Sequence, residues 1–472
     1  MANINVLSDR YATQEINDIF SEKGKNIMER ELWIAVMKAQ KDLGLDISSY
    51  DIEKYEKAKD NVNLERITQI EMKTKHDVKA KIQAFVEAAG AKEHLHKGMT
   101  SRDLTDNVEQ MQIKKASKII LGKYVAVLKN MLDRANEYNS VYLTARTHHQ
   151  AAQLTLLGRR FSMWAEELLL HLPNFEFFIE NYPLRGIKGP VGTQSDMLSL
   201  LGDKEKVNKL EEKIAESLGF EKILDSPGQV YTRSLDFVLT SNLAVLSSAC
   251  ENFAKNIRLM AGYDLVTEGF KEGQVGSSAM PHKMNTRSSE RICGASELIK
   301  MYNDGASRLM GDQWEEGDVS CSIGRRVNIA DSFYASDCVV ETTLTVLKEM
   351  GIYRKMIEAE IKRYLPFLAT TEFLMMAVKR GVGREKAHEI IKKYSVEEAL
   401  SMRQKGSSPN LAEKIAESEE LGLKEEEIYL MLNDREHFIG DARNQIARVT
   451  KKAQYFFDKY KKESEYLPRK IR

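Results

Sequence analysis

The stretch LTSNLAVLSSACENFAKNIRLM, Leu239 to Met260, has apolar residues at Leu239, Leu243, Leu246, Cys250, Phe253, Ile257 and Met260, in alternating steps of four and three. That spacing keeps one stripe of an α-helix apolar over its whole length, the seam of a bundle or coiled coil. Such a helix needs partners to cover its seam. A second seam runs through Ile113, Ala116, Ile120, Tyr124, Val127, Met131 and Ala135. Only eight prolines occur in 472 residues, and none lies between Pro227 and Pro281 or between Pro281 and Pro366. Two long windows therefore lack the strongest helix breaker. Sustained period-two alternation is scarce, so strands should be few and short. The expected fold class is all-α, with a central bundle of long helices.

Outward from that centre the pattern changes without any Pro-rich or Gly/Ser-rich linker. Residues 1–112 mix short helices with loops, including 46–51 and 96–106, and form the expected N-terminal helical domain. Residues 113–363 carry the long periodic helices. Residues 364–472 revert to shorter helical units, broken at Gly381, Gly406 and Pro409. The charged run 417–427 is expected to be a solvated helix pair with a turn.

Hydrophobic residues make up 42% of the chain, enough for a large core, and 70 basic residues balance 70 acidic ones. No net field favours nucleic acid or an anionic membrane. Cys250, Cys293, Cys321 and Cys338 form no CxxC pair, and no charged head followed by an apolar run opens the sequence. The expectation is a cytoplasmic protein with reduced thiols and no membrane span.

Several motifs carry polar chemistry. In GFKEGQVGSSAMPHKMNTRSSER, residues 269–291, Gly269, Gly273 and Gly276 precede Ser277 and Ser278, and Lys283 and Asn285 follow. Glycines free the backbone to swing or close, and a hydroxyl, a cation and an amide within a few residues suit an anionic substrate. Arg10 and Tyr11 could fork onto a phosphate. Lys75, His76 and Asp77 begin a helix with Val78, Ile82 and Phe85 on one face. Met99, Thr100, Ser101 and Asp103 make a capped helix start, whose free N–H groups favour an anion. His94 and His96 lack the further ligands that would complete a metal site.

Thr147, His148, His149 and Gln150 fall between Tyr142–Ala145 and a helical run expected from Leu154. The two histidines must point in different directions, so at most one faces a given pocket; either could instead be a buried, satisfied residue. Gly186, Gly189 and Gly192 leave the 186–194 stretch, with Thr193 and Gln194, too glycine-rich for a helix interior, and it lacks the phosphate-loop signature. Ser322, Arg325 and Arg326 suit a phosphate if they face inward.

Taken together, THHQ, GTQ, GSSAMPHKMN and GDVSCSIGRR, in this order, resemble the fumarase/aspartase superfamily, and within it the adenylosuccinate lyase family. The resemblance covers most of the chain. It implies a three-domain fold around a central helix bundle, a homotetramer with shared active sites, and no metal or cofactor. It also implies small-molecule ribotide substrates and β-elimination of fumarate from adenylosuccinate and from succinylaminoimidazole carboxamide ribotide. By motif, Ser277 is the implied base and His148 the implied acid, with Lys283 and Asn285 supporting carboxylate charge and His76 orienting the succinyl group or the acid. Thr100, Ser101, Thr193 and Gln194 would bind carboxylates or the leaving group, with Lys75, Asp77 and Thr147 beside them. Arg10, Tyr11, Arg291, Ser322 and Arg326 would hold the ribotide and its phosphate. Two positions depart from the family pattern: Thr286 follows Asn285 where proline is common, and Gly317 stands where some relatives carry arginine. Argininosuccinate lyase, aspartase and a silent helical scaffold are the competing readings.

Overall fold

The computed structural model describes residues 5–269, 280 and 282–469. Among these residues five long helices form the centre of the molecule: Ser101–Glu137, Leu157–Glu180, Ser234–Gly262, Arg287–Leu309 and Ser322–Glu349. The seam that opens at Leu239 is buried from end to end, and so is the one from Ile113 to Ala135. Both are covered by neighbouring helices of the same chain. Each fully buried Leu, Ile or Phe there contributes roughly 1.5–3 kcal/mol of apolar burial.

Polar rungs fix the directions of these helices. Arg102 Nη2 donates to Ser322 Oγ at 2.9 Å, Lys123 Nζ to Asp337 Oδ1 at 2.5 Å and Arg134 Nε to the Leu347 carbonyl at 2.7 Å. Ser101–Glu137 and Ser322–Glu349 therefore run parallel. Arg325 pairs with Asp236 at 2.6 Å, so Ser234–Gly262 starts at the same end. Leu157–Glu180 runs the opposite way, as Gly158 N donates to the Tyr138 carbonyl and Gln110 reaches Pro183 O. Arg287–Leu309 is antiparallel too, with Asn303 on Thr240 and Cys293 beside Arg258. At about 1.5 Å per residue, the 37-residue helix Ser101–Glu137 spans roughly 55 Å between the two ends of the bundle.

Before residue 101, the helix Glu22–Asp42 lies toward the Ser101 end, with Gln40 on the Lys97 carbonyl, while Leu7–Tyr11 sits partway along the bundle beside Asp337. The helices after Glu349 include Thr370–Lys379, Arg384–Lys405 and Leu411–Ala416, separated at the expected glycines and proline. Two helices pass straight through the positions where the sequence pattern changes: Ser101–Glu137 spans 112–113, and Arg354–Leu368 spans 363–364 with Pro366 inside it.

One expectation needs correction. The run from Leu154 is not helical at first: Tyr142–Thr147 and Gln150–Leu156 pair as an antiparallel hairpin, and the helix begins at Leu157. In Gln150–Leu156 the apolar pattern of the following helix extends backward into a strand, and periodicity alone does not mark the change. The loop expected over 46–51 is shorter too, since a helix capped by Ser48 begins at Ser49.

A candidate site divided between two ends of a bundle

At the Ser101 end, the N-cap residue Thr100 leaves its N–H to the Asp103 carboxylate, at 2.7 Å. Asp103 is fully buried and does more than cap: its Oδ1 also accepts from Arg185 Nη1 at 2.5 Å, Lys188 N at 2.9 Å and Gly189 N at 3.0 Å. One carboxylate thus pins the 185–189 loop against the turn that carries Thr100 and Ser101. Arg185 completes the lock by donating to the carbonyls of Gly189 and Gly228. Beyond the loop, Thr193 is exposed, and Gln194 takes a left-handed backbone, φ 59°, to start the helix Ser195–Leu201.

The same end gathers the Ser322 segment. Arg102 bridges Asp106 and Ser322 at 3.1 and 2.9 Å, so the Thr100–Ser101 turn and Ser322 are neighbours. The paired arginines separate in role: Arg325 is buried in ion pairs with Asp236 and Glu109, whereas Arg326 is exposed. Gly317 lies against Gln229, where a Cβ would meet Gln229 Cβ at 2.8 Å. Gly228 is required by an equally close approach, since a Cβ would sit 2.0 Å from the Glu316 carbonyl. His76 N-caps the helix Asp77–Ala89 through Nδ1, and Lys75 holds the left-handed turn before it at φ 54°. All three of Lys75, His76 and Asp77 are exposed. Nearby His96 has its imidazole pushed toward neutrality by burial first, with the charges of Asp103 and His76 acting in opposite senses.

At the opposite end stands the hairpin. Thr147 pairs with Gln150, so His148 and His149 are its two turn residues, with φ 49° and 61°. Two positive φ values are the requirement of a tight type I′ connection, normally met by Asn or Gly. Histidine in both places carries backbone strain. The two rings differ in use: His149 Nε2 lies 3.2 Å from Tyr263 Oη, while His148 is exposed at the tip and keeps its ring free of hydrogen bonds within the described residues. Lys283 is exposed beside a groove of about 530 Å³ that Asp264, Glu268 and Tyr353 also line. Asn285 is half-buried one residue before Thr286, from which the helix Arg287–Leu309 starts. Ser277, with Ser278, Gly273 and Gly276, lies outside the described residues.

The borders of that segment are tied together. The Glu268 carboxylate accepts from Ser288 N at 2.8 Å, Ser289 N at 2.9 Å and Ser289 Oγ at 3.0 Å, capping the helix Arg287–Leu309 from a residue on the other side of residues 270–279. A carboxylate at a helix start satisfies orphan N–H groups and favours the helix dipole. Glu268→Ala should lower stability by about 1–2 kcal/mol, as loss of a cap does, and change kcat and KM together by several-fold. Thermal unfolding and steady-state kinetics check this, and wild-type values in both would show that the clamp is idle.

A third station lies partway along the bundle. Arg291 stacks over the Tyr11 ring at 5.3 Å, and Arg10 is exposed next to it. The sequence brought these residues forward, and Asp103 with them as part of a capped helix start, but not the tie of Asp103 to Arg185. Glu268 carried no signal, because its partners lie 20 and 21 residues away.

Residues 9–299 match the family described as "Lyase", and residues 366–449 match "Adenylosuccinate lyase C-terminus". Adenylosuccinate lyase of Saccharomyces cerevisiae is 34% identical over 94% of this chain and 93% of its own length. The Schistosoma mansoni enzyme of the same name is 33% identical over 87% of this chain and 86% of its own. Among solved structures, 3-carboxy-cis,cis-muconate lactonizing enzyme from Pseudomonas putida aligns with TM-score 0.83 over 96% of this chain and 100% of its own, at 18% identity, a likeness of fold.

Proposed function

This chain belongs to the adenylosuccinate lyase family of the fumarase/aspartase superfamily and is a C–N lyase, and from that premise we propose that it releases fumarate from adenylosuccinate, leaving AMP. The same β-elimination on succinylaminoimidazole carboxamide ribotide yields its carboxamide ribotide. The base removes a proton from the carbon next to a carboxylate, the electrons pass into that carboxylate, and the C–N bond breaks as an acid protonates the departing nitrogen. Ser277 is the base and His148 the acid. A serine hydroxyl is too weak a base in water, so Ser277 acts only when closure excludes solvent and places a cation beside it. Lys283 and Asn285 support the growing carboxylate charge. His76, Lys75 and Asp77 orient the succinyl group, Thr100, Ser101, Thr147, Thr193 and Gln194 hold carboxylates and the leaving group, and Arg10, Tyr11, Arg291, Ser322 and Arg326 hold the ribotide. No metal or cofactor enters this scheme.

The observation that carries the assembly of this site is distance. His148 and Lys283 lie at the hairpin end, and Thr100, Ser101, Ser322 and Arg326 at the other, separated by most of a helix of roughly 55 Å. A ribotide cannot span that length, so a whole site draws on more than one copy. This supports a homotetramer with shared sites. Val238, Val245 and Leu259 on Ser234–Gly262 remain exposed at steps of seven and fourteen, a stripe suited to a neighbouring copy. Among the described residues no helix is long and apolar enough to cross a membrane, and the proposed compartment is the cytoplasm.

Purified protein mixed separately with adenylosuccinate, argininosuccinate and aspartate tests the substrate. An absorbance change with adenylosuccinate is expected. Turnover of either other compound alone would reject the assignment, and silence with all three would favour a scaffold.

A further inference from the structure

The segment Tyr466–Arg469 lies across the segment Arg10–Thr13. Arg469 Nη1 donates to the Ala12 carbonyl at 2.5 Å and Nη2 to the Arg10 carbonyl at 3.4 Å, the two carbonyls on either side of Tyr11. Arg469 N donates to Glu341 Oε2 at 2.8 Å and Tyr466 Oη to Glu341 Oε1 at 2.6 Å. Beneath them, Lys123 Nζ reaches Asp337 Oδ1 at 2.5 Å, Glu341 Oε1 at 2.8 Å and Thr13 Oγ1 at 3.2 Å. Asp337 Oδ2 in turn accepts from Thr13 N at 2.6 Å and Thr13 Oγ1 at 2.7 Å. Lys123, Asp337 and Glu341 are all buried. Burial alone would push the Lys123 ammonium down, but the two carboxylates overcome it and hold it above its usual range.

This cluster meets a weak piece of backbone. Leu7–Tyr11 is one five-residue π turn whose single buried residue is Leu7, and it rests on the helix Ser322–Glu349. Its hold comes from outside. The helix Lys461–Ser464, which leads into the strap, packs where Ser101–Glu137 has Gly122; a Cβ there would meet Glu463 Cγ at 2.8 Å. Room for the strap is thus made inside the longest helix.

We infer that Arg469, supported by Tyr466 and the Lys123, Asp337 and Glu341 cluster, is a positioning residue for substrate binding: it holds the Arg10–Tyr11 and Ala12–Thr13 peptide units so that Arg10 and Tyr11, with Arg291, face the ribotide phosphate. Arg469 touches backbone and no substrate. The inference rests on the proposed roles of Arg10, Tyr11 and Arg291. Asp337 lies twelve residues before Glu349, so the strap is about 18 Å along the bundle from the hairpin end that carries the same chain's His148.

The test uses full-length Arg469→Ala, Arg469→Lys and Tyr466→Phe, with kcat, KM for adenylosuccinate, and inhibition constants for AMP and for fumarate. Arg469→Ala should raise KM and the AMP constant about tenfold, as loss of charge-assisted hydrogen bonds does, and leave kcat and the fumarate constant within about twofold. Arg469→Lys, with a smaller donor head, should fall between, and Tyr466→Phe should shift the same two constants less. Parallel loss in kcat and in both inhibition constants would mean general loosening and overturn the inference, as would an unchanged KM. If Arg469→Ala fails to fold, the same split is required of Arg469→Lys. A wild-type protein that does not cleave adenylosuccinate would instead bring down the functional reading beneath it.

Discussion

Replacing His148 by alanine should lower kcat by about 10²–10⁴-fold, the range that a positioned acid contributes, while the assembly stays intact. His148 occupies a hairpin tip with its side chain exposed, so its removal opens no core. The neighbouring His149 is not a substitute, because its ring is engaged with Tyr263 and the turn directs it elsewhere. Ser277→Ala should cause a similar loss if it removes the other proposed proton-transfer group. The separation of the two bundle ends adds a sharper outcome. His148→Ala and Arg326→Ala chains, each inactive or nearly so, should recover activity when mixed and allowed to exchange, since a site can then take its intact histidine from one chain and its intact arginine from the other. Near-normal rate in His148→Ala would remove it from the mechanism. Failure of the mixture to recover, with exchange verified, would place both residues of a site on one chain.

The second large effect concerns stability. Asp103→Ala should destabilise the protein by about 3–5 kcal/mol, because it strips the counter-charge from Arg185, which is itself fully buried. It also leaves the N–H groups of Thr100, Lys188 and Gly189 without their acceptor. Asp103→Asn keeps the shape and one acceptor oxygen but loses the charge, and should fall near half of that. Because Asp103 ties the Thr100–Ser101 turn to the loop leading to Thr193 and Gln194, KM should rise in the folded fraction of either variant. Urea unfolding at fixed protein concentration, followed by kinetics at low temperature, separates the two effects. An Asp103→Ala protein within about 1 kcal/mol of wild type would show that Arg185 is held well enough by its carbonyl partners.

The central fold was legible because its signal is periodic. Leu239 to Met260 and Ile113 to Ala135 announce buried helices at the spacing a helix requires, and nothing in those windows interrupts it. The hairpin was hidden for the converse reason: Tyr142–Leu156 is held by backbone pairing and by a turn made of two histidines, neither of which has the Asn-Gly signature of such turns. The proposed site residues come from the order of motifs in the chain, which told nothing of their distance apart. The long-range ties within the chain, Glu268 to Ser288 and Ser289, Asp103 to Arg185, and Arg469 to Ala12, depend on tertiary neighbours and leave no local mark. Arg325 and Arg326 make the same point side by side: identical residues, one neutralised inside the bundle and one facing out.

The opposed placement of His148 and Arg326 has a consequence for how activity scales with amount. On the proposal of shared sites, an isolated chain carries only parts of different sites, so catalysis would belong to the association equilibrium and not to the polypeptide. Specific activity should then be constant only above the concentration at which copies stay together, and should decline on dilution below it, with the rate falling more steeply than the quantity of protein.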